Sequence, residues 1–408
     1  LRVLNFDADL ADIRRGMEQG RFFERLLSHY FLENPHRLRM ILSPDPEMAE
    51  REARRVRQEL EQVRRQLSAE AVERLRRDAD ALRRLQEAQE PLDCLPTLQR
   101  EDIPPEVDRI AASGSDPRLS VSYFEQATSG IVYVAAAADC SGLPAEQSHL
   151  VPFFCHAFAR IGSARRDYSE MARRIDAFTG GSGVAATPRT GFGGSGRCLP
   201  FVALTSKSLL RHLEPMFEIL AELLGEFNFS DTSRLRNLLL EYRAGLEAAV
   251  VHNGHRLAMS LAARRFSMAR ALSEEWSGIH QLKQVKRLTD GLSNEVLTGL
   301  ASDLTQIATR VWGRSRLQTA VIGESEAVAR AGVHVETLLR AVRPGGSTAT
   351  AGAEEGFPGA RLREGWSMET AVNFVAAAFP AVRLEHEDSA VLAVMAKMLR
   401  SLYLHREI

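Results

Sequence analysis

The stretch GIVYVAAAA at residues 130–138 decides the fold of this chain, together with LSVSYF at residues 119–124. Both contain the β-branched and aromatic residues that favour strands, and they predict two adjacent strands. Helical periodicity follows at residues 151–161 and 168–178, which predicts helices packed on those strands. This part of the chain is therefore expected to be α/β in character.

Helix and strand patterns continue to alternate after residue 178. Further strands are predicted at residues 184–187, 199–205, 317–322 and 370–379. Further helices are predicted at residues 209–227, 231–250, 254–272, 274–288, 294–311, 325–342 and 387–406. Residues 344–365 are rich in glycine and poor in apolar side chains, so they predict a mobile loop.

The segment at about residues 45–90 differs in character, because it is highly charged and carries two narrow apolar stripes. Asp45 before Pro46 predicts a helix N-cap followed by proline at the first helical position. The stripes break near Leu67 and Ser68, and a stripe this narrow covers only one neighbour. We therefore expect two helices that fold back on each other as a long antiparallel hairpin, with the charged residues on a solvated face rather than in a binding patch.

Shorter elements are predicted on both sides of this hairpin. Residues 10–32 show helical periodicity, and Arg37–Leu42 alternate as in a strand. After the hairpin, Pro91, Pro96, Pro104 and Pro105 predict an extended connection, because proline lacks an amide donor. A new domain is expected to begin near Ile103.

Composition and charge exclude several classes of protein. With 408 residues, 45% hydrophobic and 26% charged, the chain is typical of a globular protein of two or three domains. The 52 basic residues balance 53 acidic ones, so nucleic acid and membrane are not expected partners. The four cysteines, Cys94, Cys140, Cys155 and Cys198, lack C-x-x-C spacing and favour a reducing cytoplasm. The first residues lack both Met and a signal-peptide pattern, so we expect the chain to continue before Leu1.

A glycine-rich run at residues 191–198 has the spacing of a phosphate-binding loop. Such a loop needs Lys followed by Ser or Thr, and it must open a helix. Arg197 and Cys198 occupy those places here, and a strand follows. The run therefore favours a hairpin connection between strands over nucleotide binding.

No residue pattern predicts a catalytic centre. A zinc hydrolase needs two imidazoles on one helix face and a carboxylate nearby. His252 and His255 have no such carboxylate between or beside them, and neither His212 nor His386 has a second imidazole at the required spacing. Cys155 lies in an apolar run and predicts a buried side chain rather than a nucleophile. We therefore assign no catalytic and no metal-binding residue.

An ordered series of segments resembles the presequence-protease branch of the insulinase/pitrilysin metallopeptidases. The resemblance covers essentially the whole chain, and its specificity lies in the order of the segments. The matching segments are Phe31–Arg37, Pro44–Pro46, Leu98–Pro104, Leu150–Cys155, Gly162, Tyr168, Thr179–Gly181, Phe229–Asp231, Arg243, Gly254–His255, Val372–Val375 and Leu404–Ile408.

The resemblance implies an α+β fold of two-layer α/β sandwich domains with a long helical hairpin near its amino-terminal end. In that family two bowl-shaped halves, joined by the hairpin, close around unfolded peptides. The implied domains are a linker region at residues 1–102, a third α/β domain at 103–272 and a fourth at 273–408 that is incomplete at its carboxy-terminal end. Zinc and its ligands belong to the amino-terminal half of the polypeptide, so no cofactor is expected on this chain.

The implied partners are that amino-terminal catalytic half and unfolded peptide substrates. Family members hold substrate with an Arg and a Tyr in a run that would begin where this sequence stops at Ile408, so the substrate-binding residues are unknown. A bacterial protein of this kind would be cytoplasmic, and a eukaryotic one organellar. Two alternatives stay open: a natural inactive partner subunit, with a start codon immediately before Leu1, and a helical-hairpin interaction module, with residues 45–90 binding a partner alone.

Overall fold

The computed structural model describes residues 6–88, 96–191, 196–344, 363–367 and 372–405. The chain divides into two compact units, Leu1–Pro105 and Glu106–Ile408. Among the described residues, no helix combines the length and the apolar character needed to cross a membrane.

The first unit is helical. Its α-helices are α1 (Asp7–Glu18), α2 (Phe22–Leu27), α3 (Met48–Gln66) and α4 (Ala69–Glu87). A π-helical turn at Ser28–Leu32 continues α2, and a 3₁₀ turn spans Arg100–Asp102. Gly20, with φ of +74°, separates α1 from α2, so the predicted helix at residues 10–32 is two helices.

The break between α3 and α4 lies where the sequence predicted it, at Leu67 and Ser68. Ser68 caps α4 by accepting a hydrogen bond from the amide of Ala71 at 3.2 Å. The two apolar stripes do not bury each other, however, since Leu60 is 63% exposed and Leu82 is 55% exposed. The expected close packing of one stripe on the other is therefore not found in the described residues.

The prediction of a strand at Arg37–Leu42 was wrong. These residues have no strand structure, and Leu38 and Met40 are exposed. A strand needs a neighbour to satisfy its backbone N–H and C=O groups, and the described part of the first unit contains no other strand. Alternation of side chains alone was not sufficient.

The described residues of the second unit are built around one six-stranded sheet. Its strands are β1 (Gly114–Asp116), β2 (Val121–Glu125), β3 (Ile131–Asp139), β4 (Ser182–Thr190), β5 (Cys198–Leu209) and β6 (Leu317–Gly323). They lie in the order β1-β2-β6-β3-β5-β4. β2 and β6 are parallel, and the other neighbours are antiparallel. The α+β fold class is confirmed.

The predicted adjacency of β2 and β3 was wrong, because β6 lies between them. Val321 of β6 pairs with Val134 of β3 on one side and with Tyr123 of β2 on the other. Alternate residues of β6 are buried, so this strand completes the apolar face of the sheet. A short connection between two strands favours a hairpin, but here β6 occupies the position between them.

Most helices of the second unit pack on one face of this sheet. The helices are α5 (Ala145–Ser148), α6 (Val151–Phe158), α7 (Tyr168–Phe178), α8 (Leu213–Gly225), α9 (Thr232–Ala263), α10 (Met268–Ser277), α11 (Ile279–Asp290), α12 (Asn294–Val311), α13 (Ser325–Ala341) and α14 (Ser389–Met398). α14 continues as a π-helical turn at Leu399–Leu404. The core contains Phe154, Phe158 and Phe229 packed around Trp312, which is 1% exposed.

Two predicted boundaries in the helical layer need correction. α9 is interrupted at Asn253, as the break between the predicted helices suggested, but it ends at Ala263 rather than at residue 272. Ser267 then caps α10 by accepting a hydrogen bond from the amide of Arg270 at 3.2 Å. This serine was the missed signal for a new helix.

The last predicted strand was also wrong over its described residues, 372–379, since none of them is in a strand and Val375 is 94% exposed. Residues 370 and 371, and the predicted loop at 345–362, lie outside the described residues. The final helix is confirmed, with a later start at Ser389. The domain division between residues 272 and 273 stays a prediction, and the sheet crosses that point because β6 pairs with β2 and β3.

Candidate functional site

The face of the sheet opposite the helices is partly open to solvent. In β3, Val132, Val134, Ala136 and Ala138 are buried against the helices, whereas Tyr133 on the other face is exposed. β5 and β6 alternate in the same way. One side of the described sheet therefore remains available for contact.

Small uncharged residues form a flat floor in the middle of this open face. Ala135 pairs with Ala320 on one side and with Thr205 on the other, and Ser122 and Gly183 extend this row to β2 and β4. A second row contains Ala137, Ala203 and Ala185, together with the longer Gln318 in β6. Short side chains let another backbone approach a sheet closely. We call these two rows the small-residue floor.

The sheet ends at β4, and a cleft of about 460 Å³ lies between this edge strand and the helices. Helices α6 and α10 form the other walls. The lining residues are Pro152, Cys155, His156, Val184, Ala185, Ala186, Thr187, Pro188, Ser273, Trp276 and Ser277. No Asp, Glu, Lys or Arg is among them, so the cleft suits an uncharged group.

His156 connects the cleft to a chain of charged side chains. Its Nε2 lies 2.8 Å from a guanidinium nitrogen of Arg160, which also donates a hydrogen bond to Glu241 at 2.8 Å. Because arginine has only donors, Nε2 must accept, and the proton of the neutral ring lies on Nδ1. Burial, with the positive charge of Arg160, lowers the pKa of His156. The imidazole is therefore a positioned neutral group next to Tyr242, whose ring centroid is 5.1 Å away.

Glu274 fixes the wall of the cleft that α10 provides. This carboxylate is 1% exposed, and one of its oxygens accepts a hydrogen bond from the amide of Ile279 at 2.9 Å, at the start of α11. His280 Nδ1 lies 3.1 Å from the same oxygen. A negative group at a helix amino terminus is favoured by the helix dipole. A Cβ at Gly278 would overlap the Glu274 carboxyl group, so a larger residue here would require this carboxylate to move.

A second buried carboxylate holds the loop between α6 and α7. Glu222 of α8 accepts hydrogen bonds from the Ser163 hydroxyl and from the Arg166 guanidinium. Gly162 lies in this loop with φ of +96°, and a Cβ there would lie 2.6 Å from the carbonyl oxygen of Arg166. Sequence reasoning missed this network, because its partners are far apart in the chain.

Cys140 and Cys155 do not have the properties of nucleophiles. Cys155 is buried, as predicted, and burial raises the pKa of its thiol. Burial also raises the pKa of the Cys140 thiol to about 12. A nucleophilic cysteine needs a lowered pKa, which makes these positions structural.

The histidines considered for a metal site lie apart from the cleft. His252 and His255 are exposed on α9 beside its interruption at Asn253, and His386 precedes α14. His212 lies against Phe178 with 5.6 Å between ring centroids. Within the described ranges, no group of three or more His, Cys, Asp or Glu side chains could hold a metal ion.

The glycine-rich run connects two neighbouring strands, as the hairpin interpretation predicted. The amide of Gly191 donates a hydrogen bond to the carbonyl oxygen of Arg197 at 2.9 Å, and β4 and β5 pair on either side. Residues 192–195 lie outside the described residues.

Comparison with known proteins identifies relatives over the whole chain. The mitochondrial presequence protease of Danio rerio is 27% identical, over 100% of this chain and 42% of its own length. The chloroplastic/mitochondrial presequence protease 1 of Arabidopsis thaliana is 26% identical, over 72% of this chain and 27% of its own length. The chain thus spans less than half the length of the curated relatives it matches.

A solved structure and a family complete the comparison. The inactive domain of a peptidase M16 from Pseudomonas fluorescens is 15% identical, with a TM-score of 0.39, and the match covers 56% of this chain and 50% of that one. The family described as associated with M16 peptidases of subfamily C matches residues 42–288, which is more than half of the chain. The chain therefore belongs to this family, associated with the M16 peptidases of subfamily C.

Proposed function

We propose that this chain is the non-catalytic carboxy-terminal half of a zinc-dependent endopeptidase, and that it encloses and positions an unfolded peptide in a closed chamber. The zinc, its ligands and the general base belong to an amino-terminal half of the same polypeptide. Zinc is therefore a cofactor of the complete enzyme, and this chain contributes neither a metal ligand nor a catalytic residue.

The observation that carries this proposal is the small-residue floor on the open side of the sheet. A folded unit normally covers both faces of a sheet or makes one of them polar. Here the floor is uncharged and, apart from Gln318, made of short side chains, which is suited to close contact with another polypeptide backbone. The names of the curated relatives support proteolysis as the process in which this contact takes part.

The domain organisation proposed with this function follows the family. Residues 1–102 would be the linker region, residues 103–272 the third α/β domain and residues 273–408 the fourth. Location would follow the source of the protein: cytoplasmic in a bacterium, and organellar in a eukaryote as the names of the curated relatives indicate.

Two measurements test the proposal. The reading frame before Leu1 should encode a His-x-x-Glu-His run, and the complete polypeptide should hydrolyse a quenched fluorescent peptide until a chelator removes its zinc. The isolated chain should bind no stoichiometric zinc and show no hydrolysis. Chelator-sensitive hydrolysis by the isolated chain would overturn the proposal, as would an upstream frame without the motif.

A further inference from the structure

The free edge of β4 offers backbone hydrogen-bonding groups to a further strand. Among the described residues, β4 pairs only with β5 and ends the sheet. A strand at such an edge presents unpaired N–H and C=O groups, which makes it a template for another extended chain. The cleft beside β4 opens at this same edge.

The pairing shows which residues of β4 face outward. The hydrogen bond from the amide of Gly191 to Arg197 means that Arg189, Thr187 and Ala185 direct their backbone groups toward β5, because hydrogen-bonded pairs alternate in an antiparallel ladder. On the other side of β5, the carbonyl oxygen of Pro200 accepts a hydrogen bond from the amide of Cys140, just after β3. The backbone groups of Pro200 therefore face β3 and not β4, which agrees with this alternation.

The intervening residues, Val184, Ala186 and Pro188, therefore point their backbone groups to the free edge. Neither Val184 nor Ala186 has a backbone hydrogen-bond partner among the described residues. Pro188 fits the same pattern, since proline is tolerated in a strand where its missing N–H would face solvent. It also removes one donor, which limits pairing to the part of the edge that lies before it.

We infer that an extended peptide segment adds to the edge of β4 as a seventh strand and places one uncharged side chain in the adjacent cleft. This inference rests on the proposed function. Main-chain hydrogen bonds to Val184 and Ala186 hold the peptide without regard to its sequence, and the cleft selects an apolar side chain. Only an extended backbone repeats its donors and acceptors every second residue, as this edge does. The lining of the cleft, which includes Trp276 and Ser273 but no charged group, disfavours a charged side chain.

The test compares two substitutions at one position. Ala186→Pro removes the outward amide without removing a hydrogen bond inside the sheet, and Pro188 shows that this alignment accepts proline. Ala186→Ser keeps the amide and is the matched control. With a fluorescein-labelled apolar peptide and fluorescence anisotropy, we expect Ala186→Pro to weaken binding about tenfold and Ala186→Ser to change it less than about twofold.

If the Ala186→Pro variant does not fold, a series of modified peptides tests the same inference on the unmodified chain. N-methylation of alternate peptide residues should abolish binding to the unmodified chain in one alternation and leave it unchanged in the other. A third variant, Ser273→Phe, fills the cleft and should weaken peptides with an apolar side chain more than otherwise identical peptides with alanine.

Several outcomes would overturn the inference while leaving the proposed function intact. Equal inhibition by both N-methyl alternations would do so, as would an unchanged KM of the complete zinc peptidase carrying Ala186→Pro. Dimerisation of the chain that Ala186→Pro abolishes, without peptide binding, would assign the edge to a second copy instead. Failure of the proposed function is a separate result, namely a complete polypeptide that does not hydrolyse peptides.

Discussion

Replacing Gly162 with alanine should destabilise the second unit strongly. The residue has φ of +96°, and an added Cβ would lie 2.6 Å from the carbonyl oxygen of Arg166 and 2.9 Å from the amide nitrogen of Tyr168. Both are backbone atoms, so the clash is relieved only by moving the loop. The left-handed backbone costs about 1–2 kcal/mol for a residue with a Cβ. Overpacking adds about 1–3 kcal/mol.

We therefore expect Gly162→Ala to lower the free energy of unfolding by about 2–5 kcal/mol. Tryptophan fluorescence during urea unfolding measures this directly, because all three tryptophans, Trp276, Trp312 and Trp366, lie in the second unit. With a urea dependence of about 2 kcal/mol per molar, the midpoint should fall by about 1–2.5 M.

Gly245→Ala provides the matched control. Gly245 lies inside α9, its φ is not positive, and nothing is within 4 Å of the added Cβ. The same chemical change should here raise the free energy of unfolding by about 0.5–1 kcal/mol, because alanine favours the helix. Equal effects of the two substitutions, or an unchanged midpoint for Gly162→Ala, would refute the reasoning.

Three further outcomes are expected. The pKa of His156 is lowered from its ordinary 6.5, so the unfolded state takes up its proton first as the pH falls below 6.5. Urea titrations at about pH 7.5 and about pH 5 should show the wild-type chain losing stability relative to His156→Gln at the lower pH, and a constant difference would contradict this. Cys140 and Cys155 should react with iodoacetamide at about pH 8 only after denaturation, measured by peptide mass mapping, and rapid labelling of the native chain would disprove their burial. Phe158→Ala should cost about 3–5 kcal/mol in the same urea assay, since this ring is buried in the aromatic core, and a loss below about 1 kcal/mol would count against that packing.

The sequence predicted elements whose signals are local. The sequence correctly predicted β3, α8 and α12. Each of these elements buries one face, so its apolar residues recur at the spacing typical of a strand or a helix. The break at Leu67 and Ser68 was visible for the same reason. The family was recognised from the order of several segments along the chain, because no single motif was specific enough to identify it.

The failures have a common physical cause, which is dependence on distant residues. The strand predicted from alternation at residues 37–42 is not found, and neither is the described part, 372–379, of the strand predicted at 370–379, because a strand exists only where another strand pairs with it. The adjacency of β2 and β3 failed because β6 competes for the same edges. The hydrogen-bond partners of Glu222 could not be predicted from its neighbours in the sequence, because Ser163 and Arg166 approach it only in the folded unit.

The candidate site was not predicted at all. Its cleft is formed by β4 together with α6 and α10, which become neighbours only through the packing of the helices on the sheet. One signal was available. Pro188 directly follows the strand predicted at residues 184–187, and proline at such a position favours an edge strand. This signal is weak alone, because Pro200 lies near the start of the interior strand β5.

The position of β6 also sets the order in which the second unit can be completed during synthesis. Strands β1 to β5 are synthesised long before β6 (Leu317–Gly323). Strands β2 and β3 nevertheless pair with β6 and not with each other, so the sheet is complete only when β6 has been made. A topology with such high contact order folds slowly and exposes unpaired strands to aggregation in the meantime. A nascent chain arrested before Leu317 should accordingly depend on chaperones and remain sensitive to proteases, because its sheet still lacks the strand that joins the two parts.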